Sequence, residues 1–167
     1  DFGPLLHAIP AYTGMRRGEV MRLRWQDVDF DHDLIIARSR KQSRQSREVA
    51  RQIDLHPELK AILLEWRSER PKGQVVICRS DDLKMLDSNS ANRAFYQPLL
   101  GTDLCLNRRR RYFKIGFHTY RHSFASNLAA AGVDQRVIDE FMGHQTEERS
   151  EEHTSELQSP YVISYAV

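Results

Sequence analysis

At 167 residues, with 40% hydrophobic and 29% charged residues, the chain has the size and composition of one globular domain with a sizeable core. No apolar run approaches the ~18 residues of a membrane span, no signal-peptide pattern opens the chain, and Cys78 and Cys105 lack CxxC spacing. Membrane-spanning, disulfide-scaffold and metal-cage classes are set aside, and a cytoplasmic location is expected. The formal net charge is +2, or +4 when counted only to Glu148, because residues 149–167 hold one arginine against Glu151, Glu152 and Glu156. The basic residues also cluster. Arg38, Arg40, Lys41, Arg44, Arg47 and Arg51 form one group, and Arg108 to Arg111 with Lys114 another. Either alone reads equally well as a solvated face, but two clusters favour a polyanion partner.

The chain opens at Asp1 inside an apolar stretch, as a piece of a longer protein would. Residues 4–12 and 17–25 read as helices around the corner TGMRRGE. DVDFDHD follows as a turn-rich connector. LIIAR (34–38) and REVARQIDL (47–55) read as two strands, the second alternating Val49, Ile53 and Leu55 on one face. The polar, basic stretch between them is a hairpin tip. Pro57 suits the first turn of a helix over 57–69, with Leu59, Ile62, Leu63 and Trp66 as its apolar stripe. VVIC (75–78) reads as a third short strand, 79–89 as a loop and 90–99 as a helix. Residues 101–115 form a long basic connector. A helix over 119–131 stops at Gly132, and Asp134 caps another that buries Val137, Ile138, Phe141 and Met142. Trp25, Trp66, Phe117 and Phe124 are expected in the core. The class is mainly α with a small antiparallel β-sheet (α+β).

His118 and Arg121, three apart at a helix start, share one helix face, and the unpaired amides there suit an anion. Such a pair alone is a weak signal, since a surface histidine beside an ion-pairing arginine looks the same. TGMRRGE upstream, Lys41 in the basic hairpin and Gly143-His144 after a helix end give it company.

In this order the residues resemble the tyrosine recombinase (phage integrase) family. TGMRRGEVMRLRW looks like its first arginine box, with Arg16 in the catalytic place and Glu19 in the supporting acidic place. RKQSRQSREV is similar to its β-hairpin lysine segment, about one residue longer than usual, and puts Lys41 in the catalytic position. HTYRHSFASNLAAAG looks like its second box, giving His118 and Arg121, and MGH gives His144. The resemblance covers nearly all of residues 1–148. It implies the tyrosine recombinase catalytic-domain fold and a double-stranded DNA partner, with further recombinase protomers in a synaptic complex. The implied chemistry is cleavage and rejoining through a 3′-phosphotyrosyl intermediate, without cofactor or metal. No Asp/Glu cluster is spaced for two magnesium ions. The basic clusters offer Arg40, Arg44, Arg47, Arg109 and Arg110 as phosphate contacts.

One element departs from the family's pattern. The attacking tyrosine normally lies about nine or ten residues beyond Gly-His, yet position 153 is His153 and no tyrosine follows His144 until Tyr161. The segment RSEEHTSELQS, with ISYAV after it, resembles translated sequencing-library adapter. Residues 1–148 are therefore expected to be a partial catalytic domain and 149–167 a non-native, disordered polar tail, which would leave the chain inactive for want of a nucleophile. A reading from another class is a non-enzymatic helix-turn-helix DNA-binding regulator built on FASNLAAAGVDQRVIDEFMGH. Type IB topoisomerases, which share the chemistry, are a minor variant.

Overall fold

The first helix, α1 (Gly3–Thr13), starts with Pro4 in a turn where a missing N–H is harmless. Its Leu5, Leu6 and Ile9 are at most 2% exposed, and burying each such side chain contributes about 1.5–3 kcal/mol. The computed structural model describes residues 2–40, 48–69, 73–79, 82–107, 112–113 and 115–143, excluding the side chains of 40, 48, 105–107, 112 and 113. Within it α1 packs against four other helices. Gly14 ends α1 at φ +61°, its N–H donating to the Pro10 carbonyl at 3.0 Å. The Thr13 hydroxyl donates to the Ile9 carbonyl and accepts the Met15 N–H, which tightens the corner into α2 (Arg17–Arg22).

The three-stranded antiparallel sheet has the order β1 (Val28–Asp29), β2 (Leu34–Arg40), β3 (Glu48–Asp54). Ile35 pairs with Ile53 and Ala37 with Arg51. The two expected strands therefore pair, with the expected tip between them outside the described residues, but the third strand is Val28–Asp29, within the stretch read as a connector. VVIC is not a strand: it makes single bridges, Arg24 with Val75 and Cys78 with Met85. Its apolar residues are buried all the same, Val76 and Ile77 at 1% and 0% exposure. The Val76 N–H donates to the Leu23 carbonyl, and the Trp66 indole N–H to the Val76 carbonyl at 2.9 Å. Backbone groups satisfied in this way need no ladder. A short buried apolar run carries the same sequence pattern whether or not it joins a ladder.

The helix α3 (Pro57–Glu69) has the expected bounds. The next, α4 (Ser88–Tyr96), begins earlier than expected because Asp87 accepts the Asn89 and Ser90 N–H groups at 2.8 and 3.0 Å. The basic connector contains a short antiparallel pair, β4 (Cys105–Asn107) and β5 (Tyr112–Phe113). Then come α5 (Phe117–Ala130) and α6 (Gln135–Met142), the latter capped by Asp134 as expected. Phe124, Leu128, Ile138 and Met142 form a small second core between them. Val137 is exposed instead: Ile138, Phe141 and Met142 fill the i, i+3, i+4 stripe and leave it at the edge. Phe117 and Phe124 are buried, whereas Trp25 and Trp66 are half-buried at the rim of the main core. No described helix is long and apolar enough to cross a membrane.

Two glycines in left-handed backbone test how far the α1 corner is built around one ring. A Cβ on Gly14 would lie 2.6 Å from Phe124 Cδ1, whereas one on Gly132 (φ +79°) would meet nothing within 4 Å. Gly132→Ala should lose only the backbone cost of about 1 kcal/mol, and Gly14→Ala roughly 2–4 kcal/mol, because the ring must also move. Urea unfolding of the two variants checks the difference; equal losses would show that Phe124 yields freely.

Candidate active site

Glu19 lies at the centre of the site, its side chain 1% exposed. It sits in the first turn of α2, where its Oε2 accepts the Arg16 backbone N–H at 2.8 Å. Arg51 reaches it from β3. Residues 51, 53 and 55 share one strand face, so Arg51 points inward beside Ile53 and Leu55. Its Nη1 and Nη2 donate to Glu19 Oε1 and Oε2 at 2.7 and 2.8 Å, a bidentate pair. Its Nε donates to the Phe141 carbonyl at 2.7 Å.

Two further guanidiniums meet the same place. Arg121, on α5 and 6% exposed, donates from Nη1 to the Gly14 carbonyl at 2.7 Å and from Nη2 to the Met142 carbonyl. Arg16 contacts Glu19 Oε1 and the Gly143 carbonyl, both at 3.4 Å, with its side chain 39% exposed. The carbonyls of 141, 142 and 143 are thus each met by a different arginine. They close the C-terminal end of α6, where carbonyls lack intrahelical partners and the helix dipole is negative.

Three guanidiniums around one carboxylate leave positive charge in excess. Burial pushes the Glu19 carboxyl up, but the Arg51 hydrogen bonds and charge, helped by the Arg16 N–H and charge, outweigh it and hold the group below its ordinary value. Arg121 is lowered to about 10, first by burial and then by the neighbouring charges of Arg16 and Arg51, with Glu19 opposing. It stays a cation at neutral pH.

His118 stands exposed in the first turn of α5, one turn before Arg121. The neighbouring Tyr120 faces inward and its hydroxyl pairs with His7 Nδ1 at 2.9 Å, which ties that turn to α1. Burial lowers His7 and raises Tyr120. Of the two arginines in TGMRRGE, Arg16 turns to the site. Arg17 turns away, donating to the Ser88 carbonyl at 2.9 Å and lying over the Phe117 ring. Arg16, at the start of α2, and Arg121, on α5, are therefore brought together at the end of α6, with Glu19 beside Arg16. Lys41, His144, Arg44, Arg47, Arg109 and Arg110 lie outside the described residues, as does the Arg40 side chain. Arg51 was counted only as part of a basic cluster. Its place in the Val49–Ile53–Leu55 alternation was the available signal that it points inward.

The architecture is that of DNA recombinase catalytic regions: a crystal structure of XerA recombinase superposes with TM-score 0.66 and 22% identity, covering 87% of this chain and 50% of that one. A second, XerH site-specific recombinase bound to difH substrate, gives 0.61 at 22% identity over 86% and 40% of the two chains. The chain belongs to the phage integrase family, which it matches over residues 5–155. Tyrosine recombinase XerA of Thermococcus kodakarensis is 32% identical over 134 residues, 79% of this chain and 43% of that protein. The chain spans about half the length of the curated relatives it matches.

The lowered Glu19 carboxyl links stability to pH. A depressed folded pKa contributes stability that is complete above the ordinary glutamate value, about 4.3, and is lost as pH falls through the lower folded value. Glu19→Gln should therefore flatten the fall in unfolding free energy below about pH 4.3. Denaturant titrations at stepped pH check this, and an unchanged acid slope would mean that Glu19 does not carry it.

Proposed function

We propose that the chain binds duplex DNA and activates one phosphodiester for strand exchange, with Arg16 and Arg121 holding the phosphate. The carrying observation is that the two guanidiniums meet at the same end of α6 under an excess of positive charge. Membership of the phage integrase family supports it, as does the DNA-bound state of the similar XerH recombinase. Each arginine has five N–H groups, and the carbonyls of Gly14 and Met142 engage only two of those on Arg121. The others can donate to nonbridging phosphate oxygens, where charge grows as the pentavalent phosphorane forms.

The remaining roles are those that the family implies for the matching positions. A tyrosine oxygen attacks phosphorus, the bond to the 5′-oxygen breaks, and that oxygen leaves with a proton from Lys41. His118 takes or returns the nucleophile's proton, and His144 donates to a nonbridging oxygen. The 3′-phosphotyrosyl link keeps the bond energy for rejoining to a new 5′-hydroxyl. Exchange between two duplexes calls for further protomers of the whole protein. The gathering of Arg16, Arg51 and Arg121 around Glu19 gives no advantage to a helix-turn-helix regulator, and it favours phosphate chemistry.

Binding should weaken steeply with salt, because phosphate neutralisation releases counterions. Arg16→Ala should lower duplex affinity by roughly tenfold, the loss of one charge-assisted contact. Fluorescence anisotropy over a salt series checks both, and a flat salt dependence would sink the DNA reading.

This polypeptide should form no covalent adduct. Tyr161 and Tyr165 are the only tyrosines after His144, both far beyond the family's spacing, and attack needs reacting atoms roughly 3–3.5 Å apart and aligned. A nicked suicide substrate on a denaturing gel tests this. An adduct abolished by Tyr161→Phe or Tyr165→Phe would overturn it.

A further inference from the structure

We propose that Arg51 is a positioning residue that occupies Glu19 and so keeps Arg16 available to phosphate; the idea rests on the phosphate-holding role given above to Arg16. The distances carry it. Arg51 meets both Glu19 oxygens at 2.7 and 2.8 Å, whereas Arg16 Nη1 meets Oε1 at 3.4 Å, at the outer edge of hydrogen bonding. The exposures agree: the Arg51 side chain is 11% exposed, the Arg16 side chain 39%. With Nε given to the Phe141 carbonyl and both Nη atoms given to Glu19, Arg51 is committed to the protein.

The alternative arrangement is close at hand. A buried carboxylate without a cation is costly, and it takes the nearest one available. Without Arg51, that cation is Arg16, whose backbone N–H is already bound to Oε2. Rotation of the side chain alone would close a bidentate pair and consume the donors that a phosphate needs. Arg51 wins Glu19 because its register on β3 brings a guanidinium square onto both oxygens. Lysine could not do the same, since one ammonium cannot span two oxygens and a carbonyl.

Guanidinium nitrogen NMR on the full chain, without DNA, reads the competition directly. In the parent, the Arg51 Nη groups should rotate slowly and those of Arg16 freely. In Arg51→Met, Arg16 should become slow, and its response to titrated inorganic phosphate should weaken by about tenfold. In Arg51→Met/Glu19→Gln, Arg16 should rotate freely again and the phosphate response should return. Loss of charge alone would also weaken phosphate binding, but it would not slow Arg16. Freely rotating Arg16 in Arg51→Met, or no recovery in the double variant, overturns the proposal. Should Arg51→Met not fold, Arg51→Lys carries the test: Arg16 must slow, and unchanged rotation overturns the proposal. Because every arm omits DNA, a parent chain that failed to bind duplex would refute the proposed function while leaving this result standing.

Discussion

A carboxylate buried at 1% exposure cannot stand alone, and most of what surrounds Glu19 follows from that requirement. Desolvating it costs several kcal/mol, which a single distant cation would not offset. The bidentate Arg51 pair and the Arg16 N–H together do. Each partner comes from a different part of the chain. The carboxylate therefore fixes the start of α2 against β3, and through the Arg51 Nε it fixes β3 against the end of α6. Removing any one partner would leave a buried charge exposed to the others' competition.

The same economy governs the backbone. A helix ends with carbonyls that its own amides cannot reach, and α6 ends where three arginines can reach them. Gly14 does the equivalent at the end of α1. Its left-handed conformation turns a carbonyl toward Arg121, and the Phe124 ring fills the space a side chain would have taken. Arg121 is thereby held from two helix ends at once. Its burial weakens its hold on its own proton, yet not enough to neutralise it, so a cation is kept in a site that a solvated arginine would not enter.

Much of this was legible in the sequence because periodicity and caps are local. Pro57 and the Leu59–Leu63 stripe specified α3, and Asp134 specified the start of α6. The backbone places of Arg16, His118 and Arg121, at a tight corner and a helix start, were legible because their motifs carry that spacing. What escaped depends on contacts distant in the chain. VVIC has the composition of a strand, but Leu23, Trp25 and Trp66 satisfy its surroundings with single bonds. Val28–Asp29 is too short for any alternation to show, and only its pairing with Ile35 and Leu34 makes it a strand. Arg51 looked like one more charge in a basic run. Only the partner Glu19, thirty-two positions earlier, explains why an arginine occupies an inward register.

The two arginines assigned to phosphate are held differently, and the difference bears on what each can do. Arg121 is held by carbonyls at both ends of a buried guanidinium, so its geometry is set before any ligand arrives. Arg16 is exposed and loosely met, which in the proposed reaction would let it follow the phosphate as its geometry changes from tetrahedral to trigonal bipyramidal. A rigid donor stabilises one charge distribution; a movable one keeps contact as that distribution shifts. Every described contact that orients either of them lies between Gly14 and Gly143. On the proposed function, the phosphate-holding arrangement is a consequence of folding this region, whereas attack depends on a tyrosine oxygen that none of these contacts positions. On that proposal, holding the phosphate and cleaving it rest on different residues, and each is open to change without the other.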